Sequence, residues 1–210
     1  MGSGVTMKPD LLKEIEVIEG ARVRLERLNR AHVDALCEVG LDEDLWRVTV
    51  GVVRTREDMR TYVTDALQQY ESGLALPFAI VKKSPDKVVG STRFGNIDMA
   101  NRRVEIGWTW IGKAWQRSFV NTETKFLLLR TAFEELDCVR VEFKTDALNE
   151  KSRKALKRIG ATEEGTLRSH MATYDARFRD TVYFSILASE WPEVQVKLLN
   201  MTVRNEEDRS

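Results

Sequence analysis

Three short stretches of the sequence carry side chains that could do chemistry at a shared site. The first is Glu105, a carboxylate within the strand-like run VEIGWTWI. Strict alternation puts Glu105 on one face with Gly107 and Thr109, opposite Trp108 and Trp110. A carboxylate beside such small residues could be the general base for an amine. It could equally be a cross-strand ion-pair partner for Arg103 or Arg93, and the residue pattern alone favours that interpretation.

The second stretch is DALNEKSRKAL, which reads as the beginning of a helix. Asn149 is well placed to cap it, with the side chain accepting from the amide three residues later. Ser152 shares a face with Leu156 and Ile159 by helical spacing, so its hydroxyl faces inward and needs a partner. Taken alone, this pattern is more typical of a second cap or a bond back to the helix than of catalysis.

The third stretch is the polar loop WQRSFVN, residues 115–121, which joins a strand to a helix. The free N–H groups of a first helical turn can hold a pyrophosphate, and the neighbouring polar side chains add donors. The loop has no glycine and carries Phe119 at its centre. Every strand-to-helix connection has such a turn, so this signal is weak by itself.

Other catalytic signals are few. His170 falls on a late strand without a visible orienting carboxylate, and such a histidine is more often structural than catalytic. The sequence has no GxSxG elbow, Walker loop or GxGxxG fingerprint. These absences argue against hydrolase, nucleoside triphosphatase and Rossmann-type functions.

Hydrophobic periodicity predicts the elements that must position these residues. Their order is β–α–α–β–β–β–α–β–α–β–β, followed by a C-terminal helix. Thr55 and Asp58 predict a capped helix that stops at Gly73, and an apolar stripe predicts another helix over residues 121–136. Residues 76–111 predict an antiparallel meander, whereas the strand–helix–strand unit at 103–145 requires a parallel crossover. The predicted fold class is therefore α+β with a mixed sheet.

Composition bounds the class of protein. Thirty-three basic and thirty-three acidic side chains cancel, so neither a nucleic-acid partner nor a membrane patch is indicated. Two separated cysteines and two histidines predict a reduced, cytoplasmic protein without a metal site. We expect an N-terminal tail over 1–19, partly disordered or a cloning remnant, then one domain over 20–200 and a charged tail over 201–210.

The segments VEIGWTWIGKAWQRSFVNTETKFLLLRTAFEEL and VRVEFKTDALNEKSRKALKRIGATEEGTLR, in this element order, resemble the GNAT superfamily of N-acetyltransferases. The resemblance covers about residues 20–190 and is closest to the RimJ/RimL-type branch and its small-molecule-modifying relatives. It implies the GNAT acyl-CoA N-acyltransferase fold, a mostly antiparallel sheet flanked by helices. A parallel pair, residues 103–111 and 139–145, would splay apart and hold acetyl-CoA, with no metal.

The resemblance also implies roles for individual residues. Ser152 would protonate the departing thiolate, and Glu105 would take the amine proton directly or through water. The acceptor cleft would lie between residues 45–53, with Trp46, and residues 168–179, with His170. The cofactor-binding residues implied by the resemblance are Trp110, Ile111, Gly112, Gln116, Arg117, Ser118, Phe119, Val120, Asn121, Asn149 and Ser152.

One departure from the family motif concerns the loop. The family pattern is Gln/Arg-x-x-Gly-x-Gly/Ala; Gln116 fits it, but Phe119 and Asn121 stand where small residues are usual. Glycine there permits a positive φ, so we expect an altered pyrophosphate site with about 1–2 kcal/mol of backbone strain.

The leading hypothesis is acetyl transfer from acetyl-CoA to a primary amine, a protein N-terminus or a small molecule, by direct attack, with a homodimer as a family expectation. The alternatives are a CoA-binding regulatory or interaction module without turnover, and a purely structural domain that does not bind CoA.

Overall fold

The computed structural model describes residues 9–207, and the side chains of residues 12–202. Its strands form one mixed sheet of eight. The strands are β1 Val17–Glu19, β2 Val23–Arg27, β3 Leu76–Lys83, β4 Asp86–Asp98, β5 Arg103–Ile111, β6 Arg140–Asp146, β7 Thr162–Ala172 and β8 Phe178–Leu187. The helices are α1 Pro9–Glu14, α2 Val33–Gly40, α3 Arg56–Glu71, α4 Phe119–Arg130, α5 Glu150–Ile159 and α6 Trp191–Glu207.

The sheet contains a single parallel pair in its middle. Its order is β1-β2-β3-β4-β5-β6-β8-β7, and every neighbouring pair except β5 with β6 is antiparallel. The parallel ladder lasts only from Arg103–Arg140 to Glu105–Glu142. Beyond this ladder, β5 remains paired with β4 as far as Ile111, and β6 remains paired with β8 as far as Asp146. The two strands therefore diverge, which confirms the predicted mixed sheet with a splayed parallel pair.

A bulge in β5 changes which side chains share a face. Ser91 pairs with Trp110 and Arg93 with Gly107, so Trp108 and Thr109 together oppose one residue of β4. Trp108 takes the positive φ of 49°. A Cβ on Gly95, the cross-strand partner of Glu105, would meet the Trp108 ring at 2.3 Å. The strict alternation expected from the sequence is therefore wrong beyond Gly107, and Trp108 lies on the face of Glu105.

The two faces of the sheet pack against different helices. Val104, Ile106 and Ile111 belong to the core shared with α4 and α6. Trp110 belongs instead to the smaller core under α2 and α3. The side of the sheet covered by α2 and α3 is called the acceptor face below, because the predicted acceptor cleft lies there.

Capping residues set two helix starts as predicted. Thr55 Oγ1 accepts from the Asp58 N–H at 3.1 Å, and the Asp58 carboxylate accepts from the Thr55 N–H at 2.9 Å. Asn149 Oδ1 accepts from the Ser152 N–H at 3.0 Å and begins α5. That helix ends at Gly160, whose φ of 101° suits the left-handed cap.

The helix predicted over 121–136 begins earlier than expected. Ser118 is its N-cap and accepts from the Val120 N–H at 3.3 Å, so α4 starts at Phe119. The last part, Thr131–Glu135, is π-helical. The apolar stripe indicated the helix correctly, but the helix starts two residues earlier than predicted, and its first turn includes the buried Val120.

The chain ends also differ from the expected tails. Leu12, Ile15 and Ile18 are buried in the main core, and β1 pairs with β2 inside the expected 1–19 tail. Helix α6 runs on to Glu207, into the expected charged tail. Residues 1–8 and 208–210 of these two expectations lie outside the described residues. A three-residue strand is too short to show a period in the sequence.

Gly90 allows the backbones of β4 and β5 to approach closely, and replacing it tests this approach. A Cβ there would lie 2.2 Å from the Trp110 carbonyl oxygen and 3.0 Å from Ile111 Cα, both backbone atoms. Gly90→Ala should therefore lower the free energy of unfolding by about 1–3 kcal/mol or more in urea titrations. Gly165→Ala is the control, because nothing lies within 4 Å of the added Cβ. Equal stability of the two variants would contradict the close approach.

Candidate active site

A cleft of about 1780 Å³ opens where β5 and β6 diverge. Its walls come from these two strands, the first turns of α4 and α5, the α2–α3 loop and the β7–β8 hairpin. Of the predicted site residues, those lining it are Trp46, Glu105, Trp110, Ile111, Gln116, Arg117, Ser118, Asn121, Asn149, Ser152 and His170. Gly112, Phe119 and Val120 are next to lining residues but do not line the cleft themselves.

The loop before α4 holds its strain at a different residue from the one expected. Arg117 has the positive φ, 57°, whereas Phe119 is the first residue of the helix. The Phe119 ring packs under the Arg22 guanidinium, 4.0 Å from Cζ to the ring centroid, and is half-buried against the main core. The expected strain at Phe119 is therefore wrong, because the Ser118 cap lets Phe119 adopt ordinary helical geometry with its ring outside the cleft.

The backbone groups on the edge of β5 that faces the cleft have no partner strand. From Ile106 onward β5 pairs only with β4, so its other edge is open toward β6. The Gln116 side chain donates to the Ile111 carbonyl at 3.0 Å and covers part of that edge. The Trp110 indole N–H is buried and has no acceptor among residues 12–202. The unpaired backbone groups of β5 are therefore hydrogen-bonding groups that a molecule bound in the opening can satisfy, whereas the Trp110 indole lies in the core under α2 and α3.

Ser152 lies on the opposite wall of the cleft. Its backbone N–H is used by the Asn149 cap, but its hydroxyl makes no hydrogen bond to any described residue. The bond back to the helix that the sequence favoured is not formed there. Ser152 is half-buried and lines the cleft, so its hydroxyl is available to donate to a group held there.

Glu105 is 6% exposed and is paired, although not with the arginines expected from the sequence. Its Oε2 accepts from Asn96 Nδ2 at 2.5 Å and contacts Lys144 Nζ at 2.8 Å. Arg103 pairs instead with Asp98 and Glu142. Oε1 lies beside Gly107, where a Cβ would come within 2.9 Å of it, and it has no partner in the described part of the chain. This oxygen is the one left to accept a proton.

Lys125 is a site residue that the sequence reading missed. It is 6% exposed, and its Nζ donates to Thr109 Oγ1 at 2.8 Å on the floor of the cleft. Burial lowers the pKa of Lys125 to about 7, while the charge of Glu105 opposes this shift. The signal was present in the sequence, since Lys125 falls on the same helical stripe as Leu128, Leu129 and Ala132.

The acceptor face is closed by aromatic rings and a loop contact. The centroids of Trp46 and Trp110 lie 5.5 Å apart, and Tyr62 lies 6.0 Å from Trp46. The Tyr174 N–H in the β7–β8 hairpin donates to the Val50 carbonyl at 2.9 Å, which joins the two segments predicted to form the acceptor cleft. His170 lies exposed on the rim of the cleft, 5.9 Å from the Tyr183 ring.

Residues 9–207 carry neither a metal-binding cluster nor a membrane-spanning helix. No group of three or more His, Cys, Asp or Glu side chains is arranged to hold a metal ion within them. None of the helices in the same region combines the length and apolarity needed to cross a bilayer.

A half-open parallel strand pair between two helix N-termini defines an acyl-CoA-dependent transferase fold. Comparison with protein families gives the same class, since the acetyltransferase (GNAT) domain matches residues 22–162, more than half of the chain. The chain belongs to the GNAT acetyltransferase family. Family membership implies acetyl-CoA as the acetyl donor.

Individual relatives refine this assignment. The "Putative ribosomal N-acetyltransferase YdaF" of Bacillus subtilis (strain 168) is 38% identical over 102 residues, which cover 49% of this chain and 55% of that protein. The match thus spans about half the length of this relative. A GCN5-related N-acetyltransferase from Brucella melitensis is 32% identical with a TM-score of 0.84, over 94% of this chain and 89% of that one.

A more distant structure shows the same fold. Mycobacterium smegmatis RimJ, solved in complex with CoA-disulfide, is 22% identical with a TM-score of 0.73, over 89% of this chain and 91% of that one. The prediction of a GNAT acetyltransferase is confirmed, and the similarity to YdaF supports the RimJ/RimL-like branch.

Lys125 should make stability depend on pH. Between its lowered pKa, about 7, and its ordinary value of 10.5, the unfolded chain binds a proton that the folded chain does not. Stability should therefore rise with pH through this window, by up to about 1.4 kcal/mol per pH unit. In Lys125→Met, urea titrations between pH 7 and 10 should show a smaller rise and a gain in stability that is largest near pH 7. Parallel pH profiles for the two proteins would contradict the lowered pKa.

Replacing Arg117 by glycine should change thermal stability and acetyl-CoA affinity in opposite directions. A non-glycine residue at positive φ costs roughly 1 kcal/mol, so Arg117→Gly should raise the melting temperature. The same change removes an exposed guanidinium at the α4 N-terminus and should weaken acetyl-CoA binding by roughly three- to tenfold in calorimetry. Arg117→Lys, which keeps the charge, should retain most of the affinity. Unchanged affinity in Arg117→Gly would remove this side chain from the binding site.

Proposed function

We propose that this chain is an acetyl-CoA-dependent N-acetyltransferase that acts on a primary amine, a protein N-terminus or a small molecule, by direct attack. The observation that carries the proposal is the cleft at the divergence of β5 and β6, because it brings an open strand edge, two helix N-termini and a free hydroxyl together. The named relative YdaF supports a protein amine as acceptor.

The residues present fit acetyl-CoA. The first turn of α4 offers the backbone N–H groups of Phe119 and Asn121, while that of Val120 already donates to the Ser118 cap. Gln116, Arg117 and Ser118 line the cleft beside this turn. Such a terminus suits a pyrophosphate through both its free donors and its dipole. The open edge of β5 around Trp110 and Ile111 can pair with the amide groups of a pantetheine arm, and the capped first turn of α5 lies opposite. Gly112, the third residue expected there, already donates its N–H to the Val89 carbonyl and accepts from the Trp115 N–H.

Two side chains are proposed to move protons. Acetyl-CoA supplies an activated thioester. The Glu105 carboxylate accepts the amine proton at Oε1, directly or through one water, while Asn96 and Lys144 hold Oε2 in place. The Ser152 hydroxyl donates a proton to the departing thiolate. Catalysis then rests mainly on positioning the amine against the thioester, and no covalent enzyme intermediate is needed.

Location and assembly complete the proposal. A cytoplasmic site of action is supported by the two cysteines, Cys37 and Cys138, which are both free thiols. A homodimer is compatible with the exposed apolar side chains of the β7–β8 hairpin, among them Leu167 and Phe178. We propose neither a nucleic-acid partner nor a membrane partner.

Ligand-dependent stability tests the cofactor. Acetyl-CoA at 100 times its dissociation constant adds about 2.7 kcal/mol to stability, which raises the melting temperature by several degrees. The expected result is a shift with acetyl-CoA and none with ATP. A shift without release of CoA in the presence of any amine would favour the regulatory binding module over an enzyme. No shift at millimolar acetyl-CoA would overturn both.

Ser152→Ala tests the proposed proton donor. Its turnover, followed by thiol release from CoA, should fall by roughly 10²-fold, the usual effect of removing a general acid. Its affinity for acetyl-CoA should change far less, because the Asn149 cap uses only the backbone of residue 152. Ser72→Ala, at the end of α3 and outside the cleft, is the control. An unchanged rate in Ser152→Ala would exclude the hydroxyl from the reaction.

A further inference from the structure

A buried guanidinium lies on the acceptor face without a carboxylate partner. Arg93 is 2% exposed and lines the cleft, yet it forms no ion pair with the side chains of residues 12–202. One of its N–H groups donates to Gln69 Oε1 at 3.3 Å, and its buried Nε–H has no acceptor there. Buried charges are normally paired, so this arginine calls for an anion that the described chain does not supply.

Two aromatic rings lie against the guanidinium of Arg93. Tyr62 covers the guanidinium with its ring centroid 5.2 Å from Cζ, and Trp108 covers it with its centroid at 4.9 Å. With rings stacked on the group, its edge is the part that can bond further. Edge-on, two-pronged bonding is the geometry in which a guanidinium binds a carboxylate.

Arg93 is also close to the proposed proton acceptor. Arg93 pairs with Gly107, and Glu105 is two residues away on the same face of β5. Diagonal neighbours of this kind lie about 7–8 Å apart, so an amine at Glu105 and an anion at Arg93 can belong to one small acceptor.

The balance of charge on this face points the same way. Besides Arg93, Lys144 and Arg179 lie there, while Glu105 is already matched by Lys144. Arg179 is buried, bonds to Thr181 and Met171, and forms no ion pair with any described carboxylate either. The pKa of Arg179 is lowered by burial. Asp65 on α3 lines the cleft but is exposed and pairs with neither arginine in the described structure.

We propose that the acceptor is an amine that also carries a carboxylate, and that Arg93 binds this carboxylate while the amine lies at Glu105. This rests on the proposed function and deepens it by naming the acceptor class. The carboxylate can come from a free amino acid or from an acidic side chain close to a peptide N-terminus. A polycationic amine is disfavoured by the surplus of buried positive charge.

The test compares acceptors that differ only in that carboxylate. The free amino acid pair is alanine against alaninamide, and the peptide pair is Ser-Glu-Ala-amide against Ser-Gln-Ala-amide, at equal concentrations of neutral amine. In the wild-type protein, kcat/KM from CoA release should be higher by about tenfold or more for the carboxylate member of one pair, and that pair identifies the source. Equal values within both pairs would overturn the inference.

Variants at Arg93 locate the interaction. Arg93→Met should remove the preference, because it should lower kcat/KM at least tenfold more for the carboxylate member than for the neutral member, while Arg93→Lys should keep part of the preference. Arg24→Met, outside the cleft, should keep the full preference. If Arg93→Met slows the carboxylate acceptor and its neutral analogue equally, Arg93 has only a structural role. If the preference is lost in Arg179→Met and kept in Arg93→Met, the carboxylate binds to Arg179 on β8. Either result overturns the assignment to Arg93.

A binding measurement keeps this inference distinct from the proposed function. Trp108 stacks on Arg93, so tryptophan fluorescence in the presence of CoA should change with the preferred carboxylate and not with its neutral analogue. Binding of this kind without CoA release from acetyl-CoA would support the anion site and overturn the transferase proposal. CoA release with no selective fluorescence change would overturn the anion site alone.

Discussion

The divergence of β5 from β6 is the constraint on which the rest of the structure depends. Each strand keeps its outer neighbour, β4 or β8, along its full length, but the two share a ladder only at Arg103–Glu105. The inner backbone edge is then left unpaired in the middle of the sheet, where unpaired groups are costly unless something bonds to them. A molecule with its own amide groups fits that opening. The helix starts at Phe119 and Glu150 lie around the same opening, so anion binding and proton transfer can operate on one bound molecule.

Three of the seven described non-glycine residues with a positive φ lie at the same cleft. Asn96, Trp108 and Arg117 have positive φ values of 46°, 49° and 57°, and all three line it. Such conformations persist where the surrounding structure imposes them, and they commonly mark functional sites. Here each has a consequence: the bulge at Trp108 turns two tryptophans toward the acceptor face, Asn96 bonds to Glu105, and Arg117 lets Ser118 cap α4.

Buried charge distinguishes the two sides of the cleft. On the side of α4, Lys125 is held by Thr109, and desolvation brings the pKa of this lysine to about 7. On the acceptor face, Glu105 is matched by Lys144, which leaves Arg93 and Arg179 without carboxylate partners among the described residues. A protein with no net charge overall can therefore present a locally positive acceptor site. Composition averages over the surface, whereas recognition depends on the few charges that share one face.

The sequence by itself determined the order and type of most elements, because apolar periodicity and capping residues act locally. Thr55, Asn149 and Gly160 marked helix ends correctly, and the motif around Asn149 and Ser152 led to the right family. Only the tertiary structure decided which charges meet. The partner of Glu105 is Lys144 rather than Arg93 or Arg103, because strand register and the divergence of β5 from β6 set that distance. Likewise, the bulge at Trp108 changes which side chains of β5 share a face, and the cap at Ser118 moves the start of α4 by two residues. Local sequence patterns cannot predict such changes when they depend on packing against distant strands.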